Sequence, residues 1–202
     1  MTDAMLHPGW PASLSHGPVQ LHPLRRRDAT EWSRLRMANE DWLAPWEPSS
    51  SLPWRLRHSP SAYRTMRRIV GRRARSGLSV PFAIRVEGRL AGQVTIDNIV
   101  HGAMRSGHLG YWIDRSVAGR GLATLAVALV CDHAFGVVGL HRVQADIRPE
   151  NVRSQRLVER LGFRQEGLLR RYLDIDGDWR DHLTYSLLAE EAPGGVLARI
   201  AR

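Results

Sequence analysis

Lysine is missing from this chain: all 29 of its Lys and Arg residues are arginine, set against 20 Asp and Glu for a formal net charge of +9. Without lysine there is no amine for a Schiff base, no lysine general base and no P-loop grip on phosphate. Cysteine is nearly missing as well. The single Cys131 can form no internal disulfide; it lies in an apolar helical pattern and reads as a small buried hydrophobe, which fits a reduced, cytoplasmic setting. Long apolar runs are absent too. Leu122 to Val130, broken by Thr124, falls far short of the roughly 20 residues that cross a membrane. Met1 to Pro18 has no basic segment followed by an apolar one, so no secretory signal is expected. The 9 histidines pair with no other ligand at a recognised spacing, and no metal is expected.

What is present fits one soluble domain: 202 residues, 43% hydrophobic and 24% charged. A basic, arginine-only balance suits a phosphate-rich ligand, a nucleic-acid-bound target, or both. Residues 1–18, rich in Pro, Gly, Ser and His, read as a flexible leader, and Val19–Pro23 as an edge strand. A helix follows from Asp28 to about Asn39, then a loop over 42–60 with Trp42, Trp46 and Trp54. Those rings either cap the core or wall a substrate pocket. A basic helix is expected over 61–75, and strands over 81–86, 90–99 and 107–113. The pattern continues with a helix over 122–135, a strand over 142–147, a helix over 151–161, and strands over 163–173 and 179–188. Turns fall at Glu87-Gly88-Arg89 and Asp176-Gly177-Asp178. Hairpins outnumber βαβ units, so the class is α/β with a largely antiparallel sheet.

The chemistry concentrates in two stretches. In Gly110 to Ala123 a strand enters a glycine-rich turn that opens directly into a long helix. Gly119 and Gly121 let backbone approach a ligand closely, and the helix start offers free N–H groups and its positive dipole end to a pyrophosphate. Arg120 adds charge beside it. About thirty residues on, Asn151 and Ser154 share one helical face with Val158. Asn151 is either an N-cap or a pocket residue, and the residues leave both readings open.

Together these motifs resemble the GNAT superfamily of N-acetyltransferases. Ala118-Gly-Arg-Gly121-Leu-Ala123 occupies the place of its pyrophosphate loop, and Asn151, Ser154 and Leu161-Gly-Phe163 match its later helix. Leu21-His-Pro-Leu-Arg-Arg-Arg-Asp28, Asn39 to Trp46, Glu166 to Arg170 and Asp178 to Tyr185 are similar to its RimJ/RimL type, which acetylates ribosomal-protein N-termini. The resemblance implies a GNAT domain over 19–190 with a mostly antiparallel sheet flanked by helices, and a tail over 191–202. It also implies acetyl-CoA as cosubstrate, held by Trp112, Ile113, Ala118, Gly119, Arg120, Gly121, Leu122, Ala123, Asn151 and Ser154. Asn39, Trp42 and Trp46 would then meet the acceptor, and the protein would act as a monomer or homodimer, with ribosome association in view. One departure is Ala118, where the family prefers Arg or Gln.

The implied reaction is direct attack of a neutral amine on the thioester. Ser154 is the expected proton donor, with Asn151 beside it and Tyr172 a second candidate, since Val158 replaces a tyrosine that many relatives carry. The base is unresolved among Glu40, Asp41, Asp97 and Asp174, because Leu173 stands where some relatives have glutamate. Two rivals remain: an acetyltransferase of small amines, and a weakly catalytic module that binds RNA or ribosomes.

Overall fold

A computed structural model describes residues 9–200 of the chain. Eight strands form one sheet in the order β1-β2-β3-β4-β5-β6-β8-β7. They are β1 (Leu14–His16), β2 (Val19–Pro23), β3 (Ser79–Val86), β4 (Arg89–Val100), β5 (Ser106–Ile113), β6 (Arg142–Ile147), β7 (Arg164–Ile175) and β8 (Asp178–Leu188). Every pairing is antiparallel except that of β5 with β6. Two-residue turns at Glu87-Gly88 and Asp176-Gly177, with positive φ at both residues of each, close the β3–β4 and β7–β8 hairpins.

Strand alternation sends side chains to two cores. On one face α5 (Leu122–Gly136) and α6 (Val152–Arg160) cover Val80, Phe82, Ile84, Val94, Ile96, Val143 and Ala145. α5 is apolar all round because it is covered on more than its sheet side. Ala126, Val127, Val130, Cys131 and Ala134 are fully buried, and the Asp132 carboxylate accepts the Val196 and Leu197 N–H groups of the C-terminal segment. On the other face α1 (Ala29–Ala38) and α4 (Pro60–Arg75) pack Trp32, Leu35 and Tyr63 on Ala83 and Leu90. α4 starts where the sequence signals it: the Ser59 hydroxyl caps the Ala62 N–H at 3.2 Å, and Pro60 follows at the first helical position. Its arginines lie on the outside, Arg73 pairing with Asp97 at 3.0 Å.

Three expectations change. Val19–Pro23 is an interior strand, since β1 lies outside it within the stretch read as leader. The cause is apolar: Trp10 meets Phe82 edge-to-face at 5.4 Å, and His133 Nε2 donates to the Gly9 carbonyl at 2.7 Å. The part of that leader before residue 9 lies outside the described residues. The tail is packed as well, with Val196 fully buried. Finally, the tryptophan loop contains two one-turn helices, α2 (Glu40–Leu43) and α3 (Trp54–Arg57). It folds around the buried guanidinium of Arg36, which lies 5.6 Å from Trp32, 5.0 Å from Trp54 and 5.0 Å from Trp112. Glu47 forms an ion pair with Arg36, and His58 Nε2 accepts from Arg36 at 2.8 Å.

Candidate active site

β5 and β6 run parallel and then part. They pair only at Ser106↔Arg142, Gly107↔Val143 and His108↔Gln144, although β5 continues to Ile113 and β6 to Ile147. From Leu109 onward β5 has no strand partner on its β6 side, so backbone donors and acceptors open into the fork. Leu109, Tyr111 and Ile113 belong to the α5 face and Trp112 to the α1 face. The two-residue period places His108 and Gly110 with Trp112.

The turn leaving the fork is braced by a polar knot. Asp114 accepts the Ser116 N–H at 3.2 Å and its hydroxyl at 2.6 Å. The Asn39 amide donates to Asp114 at 2.9 Å and to the Leu35 carbonyl at 2.9 Å, while its oxygen accepts the Arg115 N–H at 2.8 Å. Burial pushes the Asp114 carboxyl up, but the bonds from Ser116 and Asn39 win and hold it below the usual carboxylate range. Asn39 is only 3% exposed and its polar groups face the protein. The residue expected to meet an acceptor thus spends its side-chain bonds on the turn at Asp114 and Arg115 and on the Leu35 carbonyl.

Beyond the knot, Gly119 and Gly121 take left-handed φ values of 78° and 76°, and no atom lies within 4 Å of where a β-carbon would stand on either. Gly121 is the N-cap of α5 and supplies no side-chain cap. The first-turn amides at Leu122 and Ala123 therefore face open space at the positive end of a 15-residue helix. Ala118 packs partly on the core, and Arg120 is exposed beside the loop.

On the same face, the Asn151 oxygen accepts the Ser154 N–H at 3.2 Å, so Asn151 caps α6. The Tyr111 hydroxyl is buried beside Ser154. Burial pushes that phenol up to about 12, and the Ser154 hydroxyl pulls the other way. No bond of full geometry satisfies the Tyr111 oxygen, which leaves an orphaned buried polar atom next to the expected donor.

The opposite face carries a second polar group. Asp146, on β6, lies 3.4 Å from His108 Nδ1 and accepts from the Tyr172 hydroxyl at 3.2 Å and the Gln144 amide at 3.0 Å. Tyr172 is thus on the His108 face, away from Ser154, with the His182 ring 5.5 Å from its own. Trp42 donates its indole N–H to the Ile113 carbonyl at 3.1 Å and lies 4.7 Å beneath Arg153 of α6. Trp46 lies 5.6 Å from Arg148, so the two indoles flank the mouth. The Trp112 ring stacks on Arg36, which leaves only its backbone for the fork.

Tyr111, His108 and Asp146 were not singled out from the sequence. Alternation along Gly110-Tyr-Trp-Ile113 was the available signal for the two faces. Of the expected bases, Asp97 pairs with Arg73, Asp174 accepts from Ser49 at 2.6 Å, and Glu40 and Asp41 are exposed on α2, which also carries Trp42. Two open hollows lie away from the fork. The first, about 400 Å³, is bridged by the Arg85–Asp28 pair, and the second, about 490 Å³, is lined chiefly by Leu52, Leu56 and Ile69. Among the described residues no three His, Cys, Asp or Glu side chains cluster as a metal site, and no helix is long and apolar enough to cross a membrane.

Residues 19–164 match the acetyltransferase (GNAT) domain family. The [ribosomal protein uS5]-alanine N-acetyltransferase of Escherichia coli (strain K12) is 30% identical over 171 residues, 83% of this chain and 87% of that protein. The chain belongs to the GNAT acetyltransferases. Mycobacterium smegmatis RimJ, solved in complex with CoA-disulfide, superposes with a TM-score of 0.93 and 44% identity, covering 96% of this chain and 95% of that one. A probable N-acetyltransferase, YjcK of Bacillus subtilis (strain 168), is 39% identical over 102 residues, 50% of this chain and 56% of YjcK. This GNAT enzyme is an N-acetyltransferase, and the Mycobacterium smegmatis neighbour was solved with a CoA species bound. The orphaned Tyr111 hydroxyl and the empty cradle over Gly119 and Gly121 agree with such a ligand.

Proposed function

We propose that this GNAT enzyme transfers the acetyl group of acetyl-CoA to the N-terminal α-amine of a protein, a ribosomal protein foremost. The reading of the acceptor rests on one observation above others: similarity to a uS5-alanine acetyltransferase runs over most of both chains. The +9 charge supports it, because a cationic enzyme is drawn toward a ribosome-bound target.

Bound acetyl-CoA would supply a thioester-activated acetyl group. The amides of Gly119 to Ala123, with Arg120, hold the pyrophosphate, and the unpaired edge of β5 takes the pantetheine arm as an added strand would. Backbone N–H groups near Ile113 face the developing oxyanion. Ser154 Oγ carries the proton for the departing sulfur, with the Tyr111 hydroxyl beside it. Trp42 and Trp46 flank the acceptor. Holding both reactants at one fork lowers the barrier by positioning alone.

The test is transfer from acetyl-CoA to short peptides differing only at their first residue, with spermidine alongside, following CoA release and the mass gain of one acetyl group. Acetylated peptides establish N-terminal transfer and rank the first-residue preference. Transfer to spermidine alone moves the enzyme to the small-amine class.

A further inference from the structure

The acceptor amine arrives as an ammonium and must lose a proton before it can attack. Of the residues expected to take it from the sequence, Asp97 pairs with Arg73 and Asp174 accepts from Ser49, while Glu40 and Asp41 are exposed on α2. At the point where β5 and β6 part, on the face opposite Ser154, stands an imidazole with a carboxylate behind it. We propose that the His108–Asp146 pair receives the acceptor ammonium and that His108 accepts its proton, acting as the general base of the transfer.

Geometry carries the assignment. His108 and Gln144 form the last β5–β6 pair, so the imidazole sits at the apex of the fork. Asp146 lies 3.4 Å from Nδ1, and a proton on Nδ1 facing that carboxylate leaves Nε2 to accept. His108 is 39% exposed, whereas Asp146 is 9% exposed and held by Gln144 and Tyr172. One group is therefore reachable and the other rigid. Burial alone would push the Asp146 carboxyl up, yet the bonds from His108 and Gln144 keep it below its ordinary range and hence charged.

The other groups facing the pair are few. Asp97 of β4 is opposite His108 in register and is tied to Arg73. Arg142 of β6 is paired with Glu166; Tyr172 of β7 bonds Asp146; and Thr184 of β8 is opposite Asp146, with His182 beyond Tyr172.

The proposal rests on the acetyltransferase reading, and its bookkeeping closes. The ammonium N–H bond breaks, its proton passes to His108 Nε2, and the lone pair stays on nitrogen. That pair forms the C–N bond to the acetyl carbon as the C–S bond breaks with its electrons going to sulfur. The nitrogen's second proton replaces, by way of Ser154, the one that sulfur takes up, and His108 releases the first to water.

The test uses the full chain with an Ala-starting peptide. His108→Ala should lower kcat/KM near neutral pH about 10²- to 10⁴-fold, move the acid limb of the pH profile upward, and recover rate with added imidazole. Acetyl-CoA affinity by calorimetry should be unchanged. Asp146→Asn should weaken binding of the free-amine peptide, without acetyl-CoA present, at least about fivefold relative to its N-acetylated form. A His108→Ala enzyme with the wild-type rate and profile overturns the proposal, as does equal loss of both peptides in Asp146→Asn. A wild-type protein that binds acetyl-CoA but acetylates no amine overturns the acetyltransferase reading, and the pair's role falls with it.

Discussion

Replacing Gly121 by valine tests the acetyl-CoA loop more directly than any other change. At φ 76° an L residue costs roughly 1–2 kcal/mol, and a β-branched one is disfavoured further. No protein atom lies within 4 Å of the new β-carbon, so the core is not disturbed and the perturbation falls on the loop and its ligand. A hydrogen bond to a charged group contributes about 1.5–3 kcal/mol, so each phosphate bond lost should weaken acetyl-CoA about 10- to 150-fold. Melting should fall only by about 2–8 °C, the range that a strain of this size implies for a chain of this length.

The assay is calorimetric titration with acetyl-CoA and, separately, with acetyl-pantetheine, which lacks the pyrophosphate. Acetyl-CoA should lose affinity while acetyl-pantetheine keeps its weaker binding. An unchanged acetyl-CoA affinity would place the phosphates away from this turn and refute the reasoning. Parallel losses for both ligands would show that the fork itself had collapsed, which would contradict the open surroundings of Gly121.

The remaining predictions concern the donor and the tryptophan segment. Ser154→Ala should lower kcat about 10- to 1,000-fold with acetyl-CoA affinity retained; near-normal turnover in steady-state assays removes Ser154 from the mechanism. Tyr111→Phe removes an orphaned buried hydroxyl, so denaturant unfolding should show equal or slightly higher stability while turnover falls roughly tenfold. Arg36→Leu removes the buried partner of Glu47, which keeps Arg57, and should destabilise the protein by about 1–3 kcal/mol in the same unfolding measurement. His58 accepts from Arg36 at Nε2 and donates to the Trp54 carbonyl from Nδ1 at 3.1 Å, which requires the neutral ring despite Glu47 at 3.3 Å. Burial first, then Arg36 and Arg57, lower its pKa to about 3. The unfolded chain therefore binds the proton first. Roughly 3 kcal/mol of stability should be present above pH 6.5 and be lost as pH falls toward 3, and His58→Gln should flatten that slope.

The glycine turn was legible because its backbone demand is local: a strand, two glycines and a helix follow one another with nothing long-range required. The same holds for the hairpins at Gly88 and Gly177 and for the cap at Asn151. What escaped depends on distant partners. Leu14–His16 sits in a Pro- and Ser-rich stretch with no alternation of its own, and it becomes a strand through the docking of Trp10 on Phe82. The burial of Arg36 depends on Trp32, Trp54 and Trp112, which close on it from three elements far apart in the chain. Asn39 was given as an acceptor contact by the family resemblance, while its bonds run to Asp114 and Arg115. His108 and Asp146 meet only because α5 carries the chain back into a parallel neighbour strand, which neither residue announces.

The two faces of the fork also bear on the acceptor class. Ser154, Tyr111 and the open α5 N-terminus lie on one side; His108, Asp146 and Tyr172 lie on the other. A thioester entering from the first side and an amine from the second can meet without crossing paths. On the His108 side Asp146 lies at the apex, with Asp97 opposite His108 tied to Arg73, while Arg115 and Arg153 stand over Trp42 and Arg148 over Trp46. Glu150 is paired with Arg148 and Glu166 with Arg142, whereas Glu40 and Asp41 are exposed on the one-turn helix that carries Trp42. A polyamine repeats its positive charge along its length and would press its later charges against those arginines. A protein N-terminus has one ammonium followed by neutral backbone, which can run past the indoles. For the peptide acceptor proposed above, adding salt should narrow any preference over spermidine by screening the arginines.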